Sequence, residues 1–271
     1  MRQEIPPPAV SSGAYTREYF EHWCNGAHEF RISRGKKLPI RLIIALKLAN
    51  IRGGEHVLDV GCGRGELAVH CALRGAWVWG IDYSSAALEF ATEAISNTDS
   101  ETRKRIQLIR ADARFIPIQD QSIDVSFMID VVEHLKPNEL DWALQEIRRV
   151  LRPGGRLIVH TMPNLWYYSL GYPIYRAVQA LRGIHLPVNP RDRWPFKEVH
   201  VNEQTPFSLQ RALIKNGFQT KILLKNTQSF EQERNIILKT GMHLLVNAPL
   251  IKLFFCNDIF AIAKKHVEYR R

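Results

Sequence analysis

Cysteine is scarce in this chain and follows no pattern. Cys24, Cys62, Cys71 and Cys256 are scattered, without a CxxC pair or a framework of close spacings. That excludes the usual zinc-ligand spacing and a disulfide scaffold, and it fits free thiols in a reducing compartment. Long apolar runs are missing too. The two longest, residues 40–51 and 244–255, are interrupted by Arg41, Lys47, Asn247, Pro249 and Lys252, so neither has the character of a membrane span. The opening MRQEIPPPAV lacks the apolar core of a secretory leader. The expected location is the cytoplasm. Acid is in deficit: 27 Asp and Glu stand against 37 Lys and Arg, a formal net charge of +10. Such an excess favours anionic partners, whether nucleic acid, an acidic membrane face or phosphorylated substrates, and does not choose among them. A solvated basic surface without a specific role satisfies the composition equally well.

What is present is a globular composition, 45% hydrophobic and 24% charged over 271 residues, enough to bury one large core. After a proline-rich lead, residues 15–50 read mainly as helix, with a break around 34–39. Short β-rich runs then alternate with amphipathic stretches. Strands are expected at 56–60, 77–81, 106–110, 125–129 and 156–161, and helices at 66–74, 86–95 and 139–151. That alternation specifies a parallel sheet covered on both faces. The order changes at 164–205, which is rich in aromatics, prolines and arginines and shows no clear strand. It reads as an insertion. A helix at 206–216 and strands at 218–224 and 259–263 complete the pattern. No internal repeat interrupts it.

The central motif is His56-Val57-Leu58-Asp59-Val60-Gly61-Cys62-Gly63-Arg64-Gly65-Glu66-Leu67, a buried strand entering a glycine turn that opens a helix. Glycines permit the tight turn and a close ligand approach. By itself the turn is common to dinucleotide, flavin and nucleotide proteins. Charge separates them. A phosphate cradle needs an uncrowded helix N-terminus, yet Glu66 opens this helix and Asp59 precedes the turn. No Lys-Ser or Lys-Thr pair follows the glycines, and Gly65 comes one residue too early for GxGxxG. Two carboxylates would repel a pyrophosphate and suit a positively charged ligand. S-adenosylmethionine carries a sulfonium and an ammonium and no phosphate. Asp82 and Asp112 close the second and third strands. Because ligands of a doubly wound sheet bind beyond the strands' carboxyl ends, Asp59, Asp82, Asp112 and Asp130 are expected around one crevice.

VLDVGCGRGELAVHCALRGAWVWGID resembles the first motif and following acidic strand of class I S-adenosylmethionine-dependent methyltransferases. RADARFIPIQDQSIDVSFMIDVVEHL and EIRRVLRPGGRLIVHTMPN are similar to later motifs of the broad subgroup that includes ubiquinone-biosynthesis O-methyltransferases. The resemblance covers roughly residues 50–165 with specific motifs and the flanks only loosely. It implies a Rossmann-like α/β fold: a seven-stranded, mostly parallel sheet with an antiparallel last strand. Residues 1–50 would be an N-terminal helical cap, 51–271 the cofactor-binding domain, and 164–205 a substrate lid. The resemblance also implies roles by position. Gly61, Gly63 and Gly65 would line the methionine portion, with Asp59 near its amino group. Asp82 would hold the ribose and Tyr83 pack by the adenine. Asp112 would accept from the adenine amino group and the Ala113 backbone would contact the ring, with Asp130 at the same crevice.

Methyl transfer from a sulfonium is an in-line displacement that needs positioning, exclusion of water and, for a hydroxyl acceptor, removal of a proton. His200 is the first choice of base and His134 the second, since imidazole titrates near neutrality. His134 fits helix capping equally well, and His160, inside the fifth strand, reads as a core histidine. Asp130, Glu133, His134 and a later histidine are also similar to magnesium-dependent RNA 2′-O-methyltransferases. Here Asp130 replaces the usual glutamate and the single His134 is followed by Leu135, so no metal is assigned.

The inserted segment packs Trp166, Tyr167, Tyr168, Tyr172 and Tyr175 close together and follows them with Arg176, Arg182, Arg191, Arg193 and Lys197. Such rings can cover an aromatic or lipid-like substrate, with arginines meeting phosphate or membrane headgroups. They can equally pack the cap onto the sheet. The leading expectation is methyl transfer to a small-molecule or lipid-linked acceptor, a hydroxyl first, with peripheral contact to an anionic membrane at its inner face. The alternative is an RNA methyltransferase. Against it, the basic residues are dispersed and no RNA-binding module is present.

Overall fold

Seven extended runs pair into one sheet in a computed structural model that describes residues 6–227, 233 and 235–265. They are β1 (His56–Val60), β2 (Trp77–Asp82), β3 (Ile106–Arg110), β4 (Ile123–Ile129), β5 (Leu151–Thr161), β6 (Phe218–Leu224) and β7 (Ile259–Lys265). The spatial order is β3-β2-β1-β4-β5-β7-β6, with β7 antiparallel to both neighbours and the other pairings parallel. The order reverses between β1 and β4, so this sheet has the switch point at which doubly wound folds open a ligand crevice.

The described helices are α1 (Ala27–Ser33), α2 (Ile40–Ala49), α3 (Glu66–Ala72), α4 (Ser85–Ser96), α5 (Ser100–Lys104), α6 (Pro137–Val150), α7 (Tyr172–Leu181), α8 (Pro206–Lys215), α9 (Ile236–Asn247) and α10 (Lys252–Phe255). Alternation along the strands sends successive side chains to opposite faces. Leu58 and Val60 therefore join Met128, Leu144 and Ile147 on the α6 side. Val57 and Phe127 pack with Leu42, Leu46 and Leu67 on the α2–α3 side. Both faces are covered, which is why the central strands read as near-continuous apolar runs.

The seven strands fall where the sequence places them, β4 and β5 starting earlier than expected. The helical reading of residues 15–50 resolves into a wide turn at Tyr19–Trp23, then α1 and α2. The expected break is real. Arg34 is left-handed, and Pro39 caps α2 with an extended backbone. Helices α5, α9 and α10 were not expected, and the inserted segment contains α7. No helix among the described residues is long and apolar enough to cross a membrane.

Candidate active site at the carboxyl end of the sheet

Beyond β1 the chain turns through three left-handed glycines, Gly61, Gly63 and Gly65. A Cβ on Gly61 would stand 2.5 Å from Val131 Cγ2, and one on Gly65 2.9 Å from Ala91 Cβ, so neither position admits a side chain. The amides of Gly61 and Cys62 donate to the Ile81 oxygen, and Gly63 N donates to Asp82 Oδ2 at 3.0 Å. These bonds fix the turn to the end of β2 and open a crevice lined by Asp59, Gly61, Gly63, Glu66 and Asp82.

Asp59 is buried, and its Oδ2 has no hydrogen-bond partner among the described residues. Burial, then Asp82 and Glu66, push its carboxyl up to about 7. Asp82 is raised to about 6 by burial, against the opposing donors Ser84 N and Gly63 N. An orphaned buried oxygen beside a second strained carboxyl is a site that a bound cation would relieve. The residues fit an ammonium-bearing ligand and oppose a phosphate.

The other strand-end acids are already engaged. Asp130 lines the crevice, but Arg41 Nε lies 2.5 Å from its Oδ2 and His160 Nδ1 lies 2.5 Å from its Oδ1. Burial would raise Asp130; Arg41 and His160 outweigh it and hold the carboxyl well below the usual range. His160 is buried and also meets Asp258, so despite its burial it is raised to about 9, Asp130 acting first. Asp112 does not line the crevice. Arg114 grips it through Nε and Nη2, the latter at 2.8 Å. Tyr83, Ala113 and Gly65 also lie off the crevice wall. For Gly65 the reason is its packing on α4. Around Tyr83 and Asp112 it is the N-terminal chain. Tyr83 Oη donates to Val10 O, Ser84 Oγ to Tyr15 O, and Arg114 Nη1 to Pro6 O, at 2.9–3.1 Å.

Across the crevice stand Glu133, His134 and His200. His134 Nδ1 lies 3.0 Å from the Val199 carbonyl, which can only accept, so the proton is on Nδ1 and Nε2 keeps its lone pair. Burial, then His200, lower His134 to about 4. Glu133 accepts from Thr161 Oγ1 at 2.7 Å, and burial followed by Asp130 raises its carboxyl. His200 lies with Nδ1 3.6 Å from Glu203 Oε1. Burial opposes its charge, but Glu203 and then Glu133 raise its pKa. The two imidazoles are 5.0 Å apart between centroids. One ligand atom from each of Glu133, His134 and His200 lies within 4.8 Å of the others, close enough to share a cation.

Two arginines that sequence reasoning passed over hold this architecture together. Arg64, inside the glycine turn, is buried, pairs with Glu66 and donates to the Phe20 and Asn25 carbonyls. Arg41 Nη2 donates to the same Asn25 oxygen at 2.9 Å. An arginine in a glycine turn has no periodic signature; burial shows only in three dimensions. These bonds bring Tyr15, Tyr19, Phe20 and Trp23 to the crevice, facing Tyr168, Trp194 and Phe196 from the inserted segment. Tyr19 meets Phe196 edge-on at 5.3 Å.

Sheet order, glycine turn and acid-lined crevice together define the class I, Rossmann-like methyltransferase fold. Residues 58–159 match the family model described as "Methyltransferase domain". A demethylmenaquinone methyltransferase of Clavibacter sepedonicus is 33% identical over 133 residues, 47% of this chain and 50% of that protein. A ubiquinone biosynthesis O-methyltransferase of Vibrio cholerae is 33% identical over 124 residues, 46% of this chain and 49% of that one. A solved S-adenosylmethionine-dependent methyltransferase from Methanosarcina mazei has the same fold, with a TM-score of 0.56 and 20% identity over 80% of this chain and 95% of its own. The chain spans between 31% and 57% of the length of the curated relatives it matches. Residues 58–159 are thus a methyltransferase domain by sequence, set in a sheet of the class I, Rossmann-like fold.

Proposed function

We propose that the whole chain transfers a methyl group from S-adenosylmethionine to a hydroxyl oxygen of a small-molecule or lipid-linked acceptor. The observation that carries this reading is Asp59 Oδ2, a buried carboxylate oxygen at the crevice wall with no partner among the described residues. When bound, S-adenosylmethionine supplies an electrophilic methyl carbon on a sulfonium. Asp59 holds the ammonium beside the Gly61–Gly63 turn, and Asp82 accepts from the ribose hydroxyls with the lone pairs its two amide donors leave free. Tyr83, Asp112 and Ala113 serve the adenine end once the N-terminal chain makes room. Asp130 acts indirectly, through Arg41.

His200 takes the hydroxyl proton as the acceptor oxygen attacks. Glu203 and Glu133 stabilise the imidazolium that forms, while His134 orients beside it as a neutral imidazole. Residues 1–50 act as the cap and 164–205 as the lid; their rings exclude water from the reacting atoms. The quinones in the names of the two relatives support an acceptor of lipid-like character. The working location is the cytoplasm, with contact at an acidic inner membrane face. The decisive experiment incubates the enzyme with isotopically labelled S-adenosylmethionine and separated lipid, metabolite and RNA fractions, followed by mass spectrometry. Label on an oxygen of a lipid or small molecule is expected. Label confined to RNA would replace this reading.

A further inference from the structure

Helix α7 is built inside out. It buries Tyr172 and Gln179, yet leaves Ile174, Ala177, Leu181 and, just past its end, Ile184 exposed. Their spacing is that of one helical face, continued backward by exposed Leu170. Leu181 is 90% exposed. Helix α9 repeats the anomaly: it buries only Val246 and leaves Ile236, Ile237 and Leu244 outside, Ile237 at 82%. Glu233 ties the C-terminal end of α7 to the start of α9. Arg182 Nη1, after α7, lies 2.7 Å from Glu233 Oε2, and Glu233 Oε1 accepts from Asn235 N at the start of α9. At the other end α10 packs against both α9 and the Tyr167–Gly171 turn that leads into α7. An exposed apolar surface on this scale marks an interaction site rather than scatter.

The charge around it selects the partner. The sequence has no Asp or Glu between Glu146 and Asp192, nor between Glu233 and Asp258. Both helices lie inside those acid-free stretches, with Arg176, Arg182, Lys239 and Lys252 among their apolar residues. Apolar side chains flanked by Arg176, Lys239 and Lys252, with Glu233 engaged by Arg182, suit the headgroup boundary of an anionic bilayer.

We infer that α7 and α9 form a docking surface for anionic lipid bilayers. The inference rests on the lipid-linked reading of the acceptor. It gives the inserted segment two faces: Tyr168, Arg191 and Trp194 toward the crevice, and the α7 row toward the membrane.

The test is co-sedimentation of the full chain with vesicles of phosphatidylcholine alone or mixed with phosphatidylglycerol, beside calorimetry of S-adenosylhomocysteine binding. The wild type is expected to bind the mixed vesicles, and less so as salt is raised. The double variant Leu181→Asp with Ile237→Asp changes only outward side chains. It is expected to lose about tenfold or more of the partitioning while binding S-adenosylhomocysteine like the wild type. Absence of binding to mixed vesicles overturns the inference, as does equal binding by the double variant. So does a wild-type dimer in lipid-free ultracentrifugation that the two aspartates convert to monomer, since a second copy would then own the face. Vesicle binding with no affinity for S-adenosylhomocysteine would instead overturn the reading of the crevice and leave the surface standing.

Discussion

Arg64 Nη2 donates to the main-chain oxygen of Asn25 at 2.8 Å and to Glu66 Oε1 at 3.2 Å, so the glycine turn carries its own tether to the N-terminal chain. Replacing Arg64 by Met leaves Glu66 buried without its cation and takes the side-chain donor from the Phe20 and Cys24 carbonyls, while Asn25 O keeps Arg41. The expected cost is roughly 3–5 kcal/mol in denaturant unfolding. A loss below about 1 kcal/mol would show that the pair is idle.

On the proposed reading, Asp59 is expected to link cofactor binding to pH. Its raised pKa means that its contribution to stability is fully present below the unfolded value of 3.8 and lost as pH climbs through about 7. Asp59→Asn should therefore stabilise the ligand-free protein by roughly 2–4 kcal/mol near pH 8 and change little near pH 4. The same substitution should weaken S-adenosylhomocysteine binding by at least roughly 2 kcal/mol. Parallel pH–stability curves for variant and wild type would refute the assignment.

Asp82→Ala is expected to weaken S-adenosylhomocysteine binding by roughly 1–3 kcal/mol, because ribose hydroxyls would be left without an acceptor in a buried crevice. Calorimetry showing unchanged affinity would remove Asp82 from the site.

His200→Ala should lower turnover by about 100-fold while S-adenosylhomocysteine affinity holds. Since Glu203 and Glu133 raise the imidazole pKa, the wild-type rate should fall as pH drops below that raised value and level off above it. An unaltered rate in the variant, or a profile without this limb, excludes His200 as the base.

Chelation tests the neighbouring triad. Proton removal by His200 needs no cation, so treatment with a strong chelator should leave turnover intact. Inactivation reversed by a divalent metal would assign Glu133, His134 and His200 as its ligands instead.

The strands were legible because their signal is local: a β-rich run such as 56–60 or 218–224 declares itself wherever it sits. Asp59 and Asp82 were legible as crevice residues because topology sends strand ends to one place. Asp130 was only half legible. Its position follows from β4, but its neutralisation comes from Arg41, 89 residues earlier in the chain. Asp112 was placed at the crevice by the same strand-end topology and Tyr83 by resemblance, and nothing near them in sequence announces that residues 6–15 fold back across them. Helix α9 escaped because Ile236, Ile237 and Leu244 face away from the core that takes Val246, so the usual amphipathic logic finds little burial for it.

That returning stretch of backbone has a kinetic consequence. Pro6, Val10 and Tyr15 each offer a main-chain oxygen to Arg114, Tyr83 and Ser84, while Ala9 N reaches Glu139 Oε1 at 2.8 Å. On the proposed placement of the adenine end, a nucleoside that reaches Tyr83 and Asp112 displaces this stretch from those bonds. Exchange of spent donor for fresh is then expected to depend on a latch made of peptide carbonyls, remote from any group proposed to handle the methyl.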